Sequence, residues 1–406
     1  MNTIPGALII GGNLNGLTIA RSLGRNGVPV WVVSPPNIRL ASFSRYTRKT
    51  LPWPASDDEA RVDYLLEIAA RNNLEQWVLF PTSDESAAFL SCFHSRLSRR
   101  YRVAAPTWNV LRWAYDKRLT YRLAADQHVD HPQTFYPLTE ADLKNVNCDF
   151  PVILKPAIHA SINRLTEDKA WRVANYEELV AKFREARELM PADLILVQEM
   201  IPGGGEAQFS YAALCCDGKP IASLTARRTR QFPIDFGYSS SFVETLDIPE
   251  IVAPSERLLN AIRYTGIVEV EYKFDACTGR YKLLDINPRL WTWSALGGRA
   301  GIDFPHLLWQ MLQDKPVARK TAPAGVRWVR MSTDVPAAFQ EILRGRLNLR
   351  SYLRSLRSPL QFALMAGDDP LPGLMDLPIF AFKHIYNTYL SLRKNAAAAR
   401  RYPVKS

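Results

Sequence analysis

Apolar runs alternate with segments of helical periodicity over the first hundred residues. The runs Ala7–Ile10 and Val28–Val33 flank a glycine turn and a segment with apolar positions at helical spacing, Leu17–Leu23. Strand, turn, helix and strand in this order are typical of a βαβ unit with parallel strands. Three further elements are predicted: a helix over Glu59–Ala70, a strand over Trp77–Phe80 and a helix over Ser86–Leu97. Residues 1–108 are therefore predicted to form a small Rossmann-like α/β domain.

The pattern changes after residue 108, where helices are followed by hairpins. Helices are predicted over Arg112–Ala125 and Tyr176–Leu189. Strands are predicted at Val152–Pro156, Leu194–Ile201, Phe209–Cys215, Ile221–Arg227, Ile267–Phe274 and Tyr281–Ile286, the last four as two hairpins. This order indicates an α+β domain over residues 109–316. Residues 317–406 are predicted to form a mainly helical extension, with helices over Phe339–Leu356 and Ile379–Leu392.

The net charge of +11 lies almost wholly in that extension, whose balance is +10 against +1 for residues 1–316. We favour helices packed on the preceding domain as the explanation. The second interpretation is a peripheral membrane contact, because basic residues flank an aromatic helix. A nucleic-acid partner is not expected, because the sequence contains no base-reading or stacking module.

Composition restricts the class of protein further. With 47% hydrophobic and 22% charged residues the chain can bury a large core, which excludes wholesale disorder. It contains no apolar run of about 18 residues, and its N-terminus lacks the features of a signal peptide. The five scattered cysteines fit neither a disulfide framework nor a zinc site. A cytoplasmic protein is therefore expected, with membrane association as a variant.

The glycine turn, GGNLNG at residues 11–16, offers backbone amides at a helix N-terminus, where an anion could bind. A dinucleotide site also needs an acidic residue after the second strand, but Ser34, Pro35 and Pro36 stand there. We therefore favour a tight turn, and NAD binding is not expected.

The strongest chemical signal lies in the second hairpin. Glu269 and Glu271 share one face of their strand, because strand residues two apart point the same way. Asp285 and Asn287 share a face of the next strand, so Glu271, Asp285 and Asn287 are expected to converge. Three hard oxygen ligands suit Mg²⁺ completed by substrate phosphates. The alternative is a solvated strand face with surface ion pairs.

The sequence also contains candidate phosphate-binding cations and a strand end that could form the edge of a nucleotide cleft. Lys155 lies inside an apolar strand, where a buried cation needs a phosphate or a structural carboxylate as its partner. Arg289 follows the hairpin and could neutralise a transferring phosphoryl group. Gln198, Glu199 and Ile201 end a strand and could present hydrogen-bonding groups to adenine, and Glu206 could accept from ribose hydroxyls.

Five motifs occur in the order found in the ATP-grasp superfamily. They are DK at 116–117, VILKP at 152–156, VQEMIPGGGE at 197–206, VEVEYKF at 268–274 and LLDINPR at 283–289. Over about residues 1–316 the chain resembles ATP-grasp carboxylate–amine ligases, including the D-aspartate ligase and pyrrolysine-biosynthesis types. The resemblance implies a Rossmann-like pre-ATP-grasp domain followed by an ATP-grasp fold.

The resemblance also implies roles for the matching residues. Contacts with ATP would come from Lys117 and Lys155 at the phosphates, from Gln198, Glu199, Met200 and Ile201 at the adenine hinge, and from Glu206 at the ribose. Mg²⁺, or Mn²⁺ in its place, would be held by Glu271, Asp285 and Asn287, and Arg289 would assist phosphoryl transfer. Two features depart from the family pattern: the position of Asp285 is more often Glu, and the loop after Lys155 lacks glycines. Lys169 in that loop either reaches into the site or lies on the surface.

The reaction implied by the resemblance is the activation of a carboxylate by ATP as an acyl phosphate. An amine then attacks to give an amide, with release of ADP and phosphate. Arg228 or Arg230 could hold the substrate carboxylate bidentately, and a solvated basic strand end is the alternative. A different nucleophile (a thiol or bicarbonate-type chemistry) and a non-catalytic nucleotide-binding protein are the competing functions. The partners expected are a small carboxylate, a small amine and a second copy in a homodimer.

The sequence says less about where the amine substrate would bind. Asp84 or Glu85, after a sheet strand, could bind an ammonium group, but we favour a helix cap at Ser83 or Asp84. Trp291 and Trp293 could wall a substrate pocket or pack in the core.

Overall fold

The computed structural model describes residues 4–158, 163–234 and 239–376. The strands are β1 (Ala7–Ile10), β2 (Val30–Ser34), β3 (Thr47–Pro52), β4 (Val78–Pro81), β5 (Arg102–Val103), β6 (Thr134–Phe135), β7 (Val152–Pro156), β8 (Trp171–Val173), β9 (Ile195–Glu199), β10 (Gln208–Cys216), β11 (Lys219–Phe232), β12 (Ser239–Leu246), β13 (Gly266–Asp275), β14 (Arg280–Asn287), β15 (Lys320–Thr321), β16 (Arg327–Val329) and β17 (Leu360–Phe362). The α-helices are α1 (Leu14–Arg25), α2 (Asp58–Asn72), α3 (Asp84–Cys92), α4 (His94–Leu97), α5 (Trp108–Tyr115), α6 (Lys117–Asp126), α7 (Arg164–Asp168), α8 (Tyr176–Leu189), α9 (Pro249–Ala261), α10 (Ala295–Arg299), α11 (Phe304–Leu312), α12 (Met331–Leu343) and α13 (Leu349–Ser355).

The N-terminal residues form the predicted parallel sheet, in the order β3-β2-β1-β4-β5. All four residues of β1 are buried, which matches an apolar run covered on both faces. The glycine turn is tight: Gly11 has φ +111°, and the Gly12 amide donates to Ser34 Oγ at 3.0 Å. A Cβ on Gly12 would lie 2.3 Å from the carbonyl oxygen of Ile38, so only glycine fits there. The preference for a tight turn is confirmed.

Two more sheets form the α+β part. A four-stranded sheet has the order β6-β9-β7-β8, and a larger sheet has the order β14-β13-β10-β11-β12-β16-β17, with β15 paired to β11. Both predicted hairpins are present, β10 with β11 and β13 with β14. Asp217 and Gly218, at φ +49° and +79°, make the turn of the first hairpin, as expected for a two-residue loop.

The helix predicted over Arg112–Ala125 is instead two helices. α5 ends at Tyr115, and the Asp116 side chain accepts from the Arg118 amide at 2.9 Å as the N-cap of α6. An aspartate that competes for backbone donors favours such a boundary over a helix interior. Lys117 consequently occupies the first turn of α6.

The C-terminal segment is not purely helical, because β15, β16 and β17 belong to the large sheet. These short strands were not predicted from the sequence. The single helix predicted over Phe339–Leu356 is also wrong: α12 ends at Leu343, and Gly345, at φ +71°, separates it from α13. The predicted helix over Ile379–Leu392 lies outside the described residues.

Buried ion pairs join the C-terminal segment to the rest of the chain. Arg21 on α1 donates to Asp369 at 2.8 Å, with side chains 6% and 1% exposed. Arg230 on β11 pairs with Asp334 on α12 at 2.8 Å, with side chains 9% and 0% exposed. In the described part of the chain, no helix combines the length and apolar character needed to cross a membrane.

Candidate active site

A cavity of about 520 Å³ lies where the three sheets approach one another. Its charged lining residues, with two of its amides, are Asp84, Glu85, Lys117, Lys155, Lys169, Gln198, Arg228, Glu269, Glu271, Asp285, Asn287 and Arg289. Carboxylates and cations thus alternate around one space, which is the composition needed to hold a polyanion and a divalent cation.

The β13–β14 pairing supplies the carboxylate wall. Glu271 lies opposite Asp285 and Glu269 opposite Asn287, so the four side chains occupy adjacent cross-strand positions. The Asn287 amide nitrogen donates to Glu269 Oε2 and Glu271 Oε1, both at 3.1 Å. The predicted convergence of Glu271, Asp285 and Asn287 is therefore present.

Glu269 is a site residue that the sequence prediction left out. Its side chain is 2% exposed and accepts from Ser210 Oγ at 2.9 Å. Burial, followed by the neighbouring charge of Glu271, raises the pKa of Glu269 well above its ordinary value. Its position on the same strand face as Glu271 was the signal that could have identified it.

Two lysines face this wall from different elements. Lys117 Nζ donates to Asp285 Oδ2 at 2.5 Å, and Lys155 Nζ donates to the Tyr121 hydroxyl at 2.8 Å. Burial, and secondarily the charge of Lys117, lowers the pKa of Lys155 to about 7. Tyr121 in turn donates to the carbonyl oxygen of Leu284 at 2.7 Å, so a phenol positions Lys155 beside β14.

Arg289 connects the site to the N-terminal sheet. Its Nη2 donates to Asp84 Oδ2 at 2.8 Å and lies 3.5 Å from Asn287 Oδ1. The favoured helix cap is assigned to Ser83, whose hydroxyl accepts from the Ser86 amide at 3.2 Å. Asp84 is thereby available to orient Arg289 across the cavity.

The two candidate arginines of β11, Arg228 and Arg230, lie in different surroundings. Arg228 lines the cavity, 3.7 Å from Glu271. Arg230 instead pairs with Asp334 at 2.8 Å, with side chains 9% and 0% exposed. The prediction that Arg230 faces the cleft is therefore wrong. Irregular pairing with β12 between Arg228 and Arg230 disrupts the alternation that would have placed them on one face.

Lys169 reaches the cavity, which resolves the two interpretations of its loop. It has φ +63°, a conformation that is uncommon for a residue with a side chain. Burial lowers its pKa, and the charge of Glu271 opposes that shift. A lysine on this loop could reach phosphates that a glycine-rich loop would contact through its backbone.

The predicted adenine hinge lines an adjoining cavity of about 460 Å³. The hinge residues on its wall are Gln198, Glu199, Met200 and Ile201. Gln198 Nε2 donates to Thr134 Oγ1 at 2.7 Å, and Glu199 accepts from Lys282 Nζ at 2.5 Å. Lys169 and Gln198 line both cavities, so a nucleotide could extend from one to the other.

Glu206 has a different position from the one expected. Its carboxylate accepts from the Gly204 amide at 2.9 Å, and the side chain does not line either cavity in the described residues. The short turn Gly204–Glu206 explains this, because the carboxylate folds back on its own backbone. A ribose contact by Glu206 would require that turn to open.

The two tryptophans serve both of the predicted roles. Trp291 and Trp293 are 1% and 3% exposed and belong to the core that packs against α1 and the parallel sheet. Both also line one end of the main cavity. Core packing therefore fixes the shape of the apolar end of the site.

Several solved structures share this architecture at low sequence identity. An L-amino acid ligase from Bacillus licheniformis has a TM-score of 0.60 and 16% identity, over 77% of this chain and 75% of that one. N5-carboxyaminoimidazole synthetase from Staphylococcus aureus has a TM-score of 0.59 and 13% identity, over 79% and 80%. The biotin carboxylase domain dimer of Hydrogenobacter thermophilus 2-oxoglutarate carboxylase, in complex with MgADP, ADP and bicarbonate, has a TM-score of 0.62 and 12% identity, over 80% and 74%.

No protein-family model and no curated protein sequence matches the chain. The likeness is therefore carried by the fold. These neighbours are ATP-grasp ligases. The chain has the ATP-grasp fold.

Proposed function

We propose that this protein is an ATP- and Mg²⁺-dependent ligase that activates a small carboxylate as an acyl phosphate for attack by an amine. The observation that carries the proposal is the meeting of Lys117, Lys155 and Arg289 with the Glu271–Asp285–Asn287 wall in one cavity. A carboxylate is a poor electrophile, so a site that activates it must hold ATP and carboxylate together against their repulsion.

The cavities suggest how ATP would lie. Adenine would occupy the space beside Gln198–Ile201, where backbone groups at the end of β9 can read its edge. The phosphates would then extend toward Lys117, Lys155 and Lys169, which line the main cavity. Lys155 suits a phosphate, because its described hydrogen bond is to a hydroxyl and leaves its positive charge without a carboxylate counter-ion.

The residues at the carboxylate wall fit a hard divalent cation. Glu271, Asp285 and Asn287 provide carboxylate and amide oxygens at neighbouring positions, and Mg²⁺, with Mn²⁺ as an alternative, favours such ligands. Within the described residues no group of three or more His, Cys, Asp or Glu could hold a metal ion by itself, so this proposal requires ligands from the substrate phosphates. The bound cation would screen charge between the phosphates and the substrate carboxylate.

Arg228 and Arg289 are the candidates for the substrate and the transferring group. Arg228 is exposed to the cavity beside Glu271, where it could hold the substrate carboxylate. Arg289, fixed by Asp84, could stabilise charge on the phosphoryl group during transfer. The amine would then attack the acyl carbon, forming the C–N bond as phosphate leaves and the amine loses its proton.

The test is an ADP-release assay with full-length protein, Mg-ATP and pools of carboxylates and amines, followed by product masses. We expect substrate-dependent ADP and a condensed product. Hydroxylamine is a small nucleophile that should intercept the acyl phosphate as a hydroxamate whatever the native amine is. AMP in place of ADP would contradict the acyl-phosphate mechanism. ATP binding with no ADP from any pool would favour the non-catalytic nucleotide-binding alternative.

A different nucleophile is the alternative within this chemistry. One neighbour contains bicarbonate and another is an L-amino acid ligase, so the fold alone does not choose between them. Separate pools of thiols, bicarbonate and amines distinguish the cases. Only the amine pool should yield a product linked through nitrogen.

For the C-terminal segment we propose a second role, peripheral contact with an anionic membrane surface. On α12, Val335, Phe339 and Leu343 recur every four residues and are 47%, 61% and 72% exposed. The arginines on the same stretch are all exposed: Arg344, Arg346, Arg350, Arg354 and Arg357. An exposed apolar stripe that is followed along the chain by exposed arginines would complement an anionic lipid surface.

Sedimentation with phosphatidylserine vesicles tests this role. We expect the wild type to co-sediment, and Phe339→Ser with Leu343→Ser to lose most of that binding. Phosphatidylcholine vesicles are the control, since they lack the anionic charge. If neither vesicle binds while the protein sediments as a dimer that the same variant dissociates, the apolar stripe is a homodimer interface instead. A cytoplasmic location is proposed in either case.

A further inference from the structure

A second large cavity, of about 500 Å³, lies at the carboxyl ends of β1, β2 and β4 in the parallel sheet. Its apolar lining comes from Ile10, Val33, Ile38, Trp53, Phe89 and Tyr115. Trp53 and Phe89 meet edge to face with ring centroids 5.5 Å apart. The remaining lining includes the charged residues Asp58, Arg61 and Glu85. A concave space with an apolar wall and polar groups that can orient a ligand is the usual form of a small-molecule site.

The charges of this cavity are unbalanced. Arg61 donates to Asp58 at 2.8 Å, so these two residues neutralise each other. Burial raises the pKa of the Cys92 thiol, which keeps it uncharged at neutral pH. Glu85 remains, and in the described contacts it has no ion-pair partner. The cavity therefore has, beside its apolar wall, one exposed carboxylate that has no ion-pair partner in the described contacts.

Glu85 and Tyr115 line both this cavity and the main one, so the two spaces adjoin. The preceding residue, Asp84, holds Arg289. The two consecutive carboxylates at the start of α3 therefore have different roles. Asp84 positions Arg289 in the main cavity, and Glu85 lies where the two cavities adjoin.

We propose that this cavity, named here the sheet-end cavity, binds the amine substrate, and that this substrate is a primary amine with an apolar or aromatic body. This inference rests on the proposed ligase function. The apolar body would pack between Trp53, Phe89 and Ile38, and the ammonium group would pair with Glu85. At the passage, the amine nitrogen faces the cavity that holds the activated carboxylate. The nitrogen becomes a nucleophile when it gives a proton to the Glu85 carboxylate, which is exposed and can pass the proton to solvent.

The helix ends that border the cavity do not favour an anion in its place. The Asn13 side chain accepts from the Gly16 amide, and Ser83 accepts from the Ser86 amide. Each cap uses one of the amides that a carboxylate or phosphate ligand would need. The Glu85 carboxylate beside the apolar wall instead favours a cation with an apolar body.

Binding of 2-phenylethylamine, compared with its uncharged isostere 2-phenylethanol, tests the assignment without turnover. Saturation-transfer NMR and calorimetry on the full chain should give the amine about tenfold tighter binding than the alcohol, because only the ammonium can form a charge-assisted hydrogen bond with the Glu85 carboxylate. Glu85→Gln should remove that preference. Glu67→Gln, an exposed carboxylate on α2 outside the cavity, should keep it.

A second variant tests the location. Ile38 is 38% exposed on the cavity wall, so Ile38→Trp should fill the space without disturbing the core, and both ligands should then bind more weakly. Equal affinity for amine and alcohol in the wild type, or an unchanged preference in Glu85→Gln, would overturn the amine assignment.

The binding result separates this proposal from the ligase function. Hydroxylamine is small enough to reach the acyl phosphate without the sheet-end cavity, so hydroxamate formation by the wild-type protein tests the ligase function alone. Hydroxamate formation without amine discrimination refutes the cavity assignment alone. Amine discrimination without ADP from any pool refutes the ligase and leaves the cavity as an amine-binding site.

Discussion

The cavity of the candidate active site contains cations whose charge depends on their neighbours. Lys117 is paired with Asp285, whereas Lys155 is hydrogen-bonded to the uncharged Tyr121. The two lysines lie close enough that the charge of Lys117 lowers the pKa of Lys155. A polyphosphate would reverse this effect, because it favours the protonated amine.

We therefore expect Mg-ATP binding to take up about one proton at pH 8.5. Lys155 has its pKa lowered to about 7 from 10.5, so it is mostly neutral at that pH in the free protein. The bound phosphates restore its charge, and ATP affinity should fall as the pH rises above 7. Calorimetry in buffers of different ionisation enthalpy measures the uptake. Lys155→Met should take up correspondingly less, and an equal uptake in both proteins would contradict this assignment.

A second prediction about a single residue concerns Asp285. Asp285→Asn removes the negative charge that pairs with Lys117 and that would hold the metal ion, so turnover should fall by at least about a hundredfold. Asp217→Asn, at an exposed hairpin turn, removes a carboxylate outside the cavity and should leave turnover unchanged. Steady-state ADP release measures both. Wild-type turnover in Asp285→Asn would remove Asp285 from the site.

Most of the strands could be predicted from the sequence. The features that could not be predicted depend on irregular strand pairing or on very short strands. The β13–β14 hairpin follows from the alternating sequence and a short polar loop, and its one register shift, between Glu271 and Tyr272, comes after the Glu271–Asp285 pair, so the facing carboxylates were predictable. The position of Arg230 was not, because the irregular β11–β12 pairing breaks that alternation without a signal in the sequence. Likewise β16 is three residues long, too short to have a pattern of its own.

Arg230 and Asp334 provide a test of how β11 and α12 are joined. Asp334 is fully buried and also accepts from Ser241, so Asp334→Ala leaves Arg230 as an uncompensated buried charge. Unfolding in urea should show a loss of about 3 kcal/mol. Arg230→Met with Asp334→Leu, which removes both charges, should recover most of that loss and retain turnover. If the double variant were stable but inactive, Arg230 would be needed for catalysis, which would contradict its assignment as a structural residue.

At the scale of the whole molecule, the ATP-grasp core and the C-terminal segment are one structure. The edge of the large sheet is completed by β16, which pairs with β12, and by β17 beyond it. Asp369 reaches back to Arg21 and to the Ser44 hydroxyl, next to the parallel sheet. A boundary drawn at residue 316 from the change in charge therefore does not mark a boundary in packing.

Two truncations test which part of the C-terminal segment the fold needs. A chain ending at residue 316 would expose β12 as an edge strand and leave Arg21 and Arg230 without their buried partners, so it should be insoluble or unfolded. A chain ending at residue 376 keeps every described contact while it loses six basic residues and no acidic ones, which takes the net charge from +11 to +5. It should unfold at the wild-type temperature and turn over ATP at the wild-type rate. Thermal unfolding and ADP release measure the difference, and a soluble, active chain ending at residue 316 would show that the segment is an appendage after all.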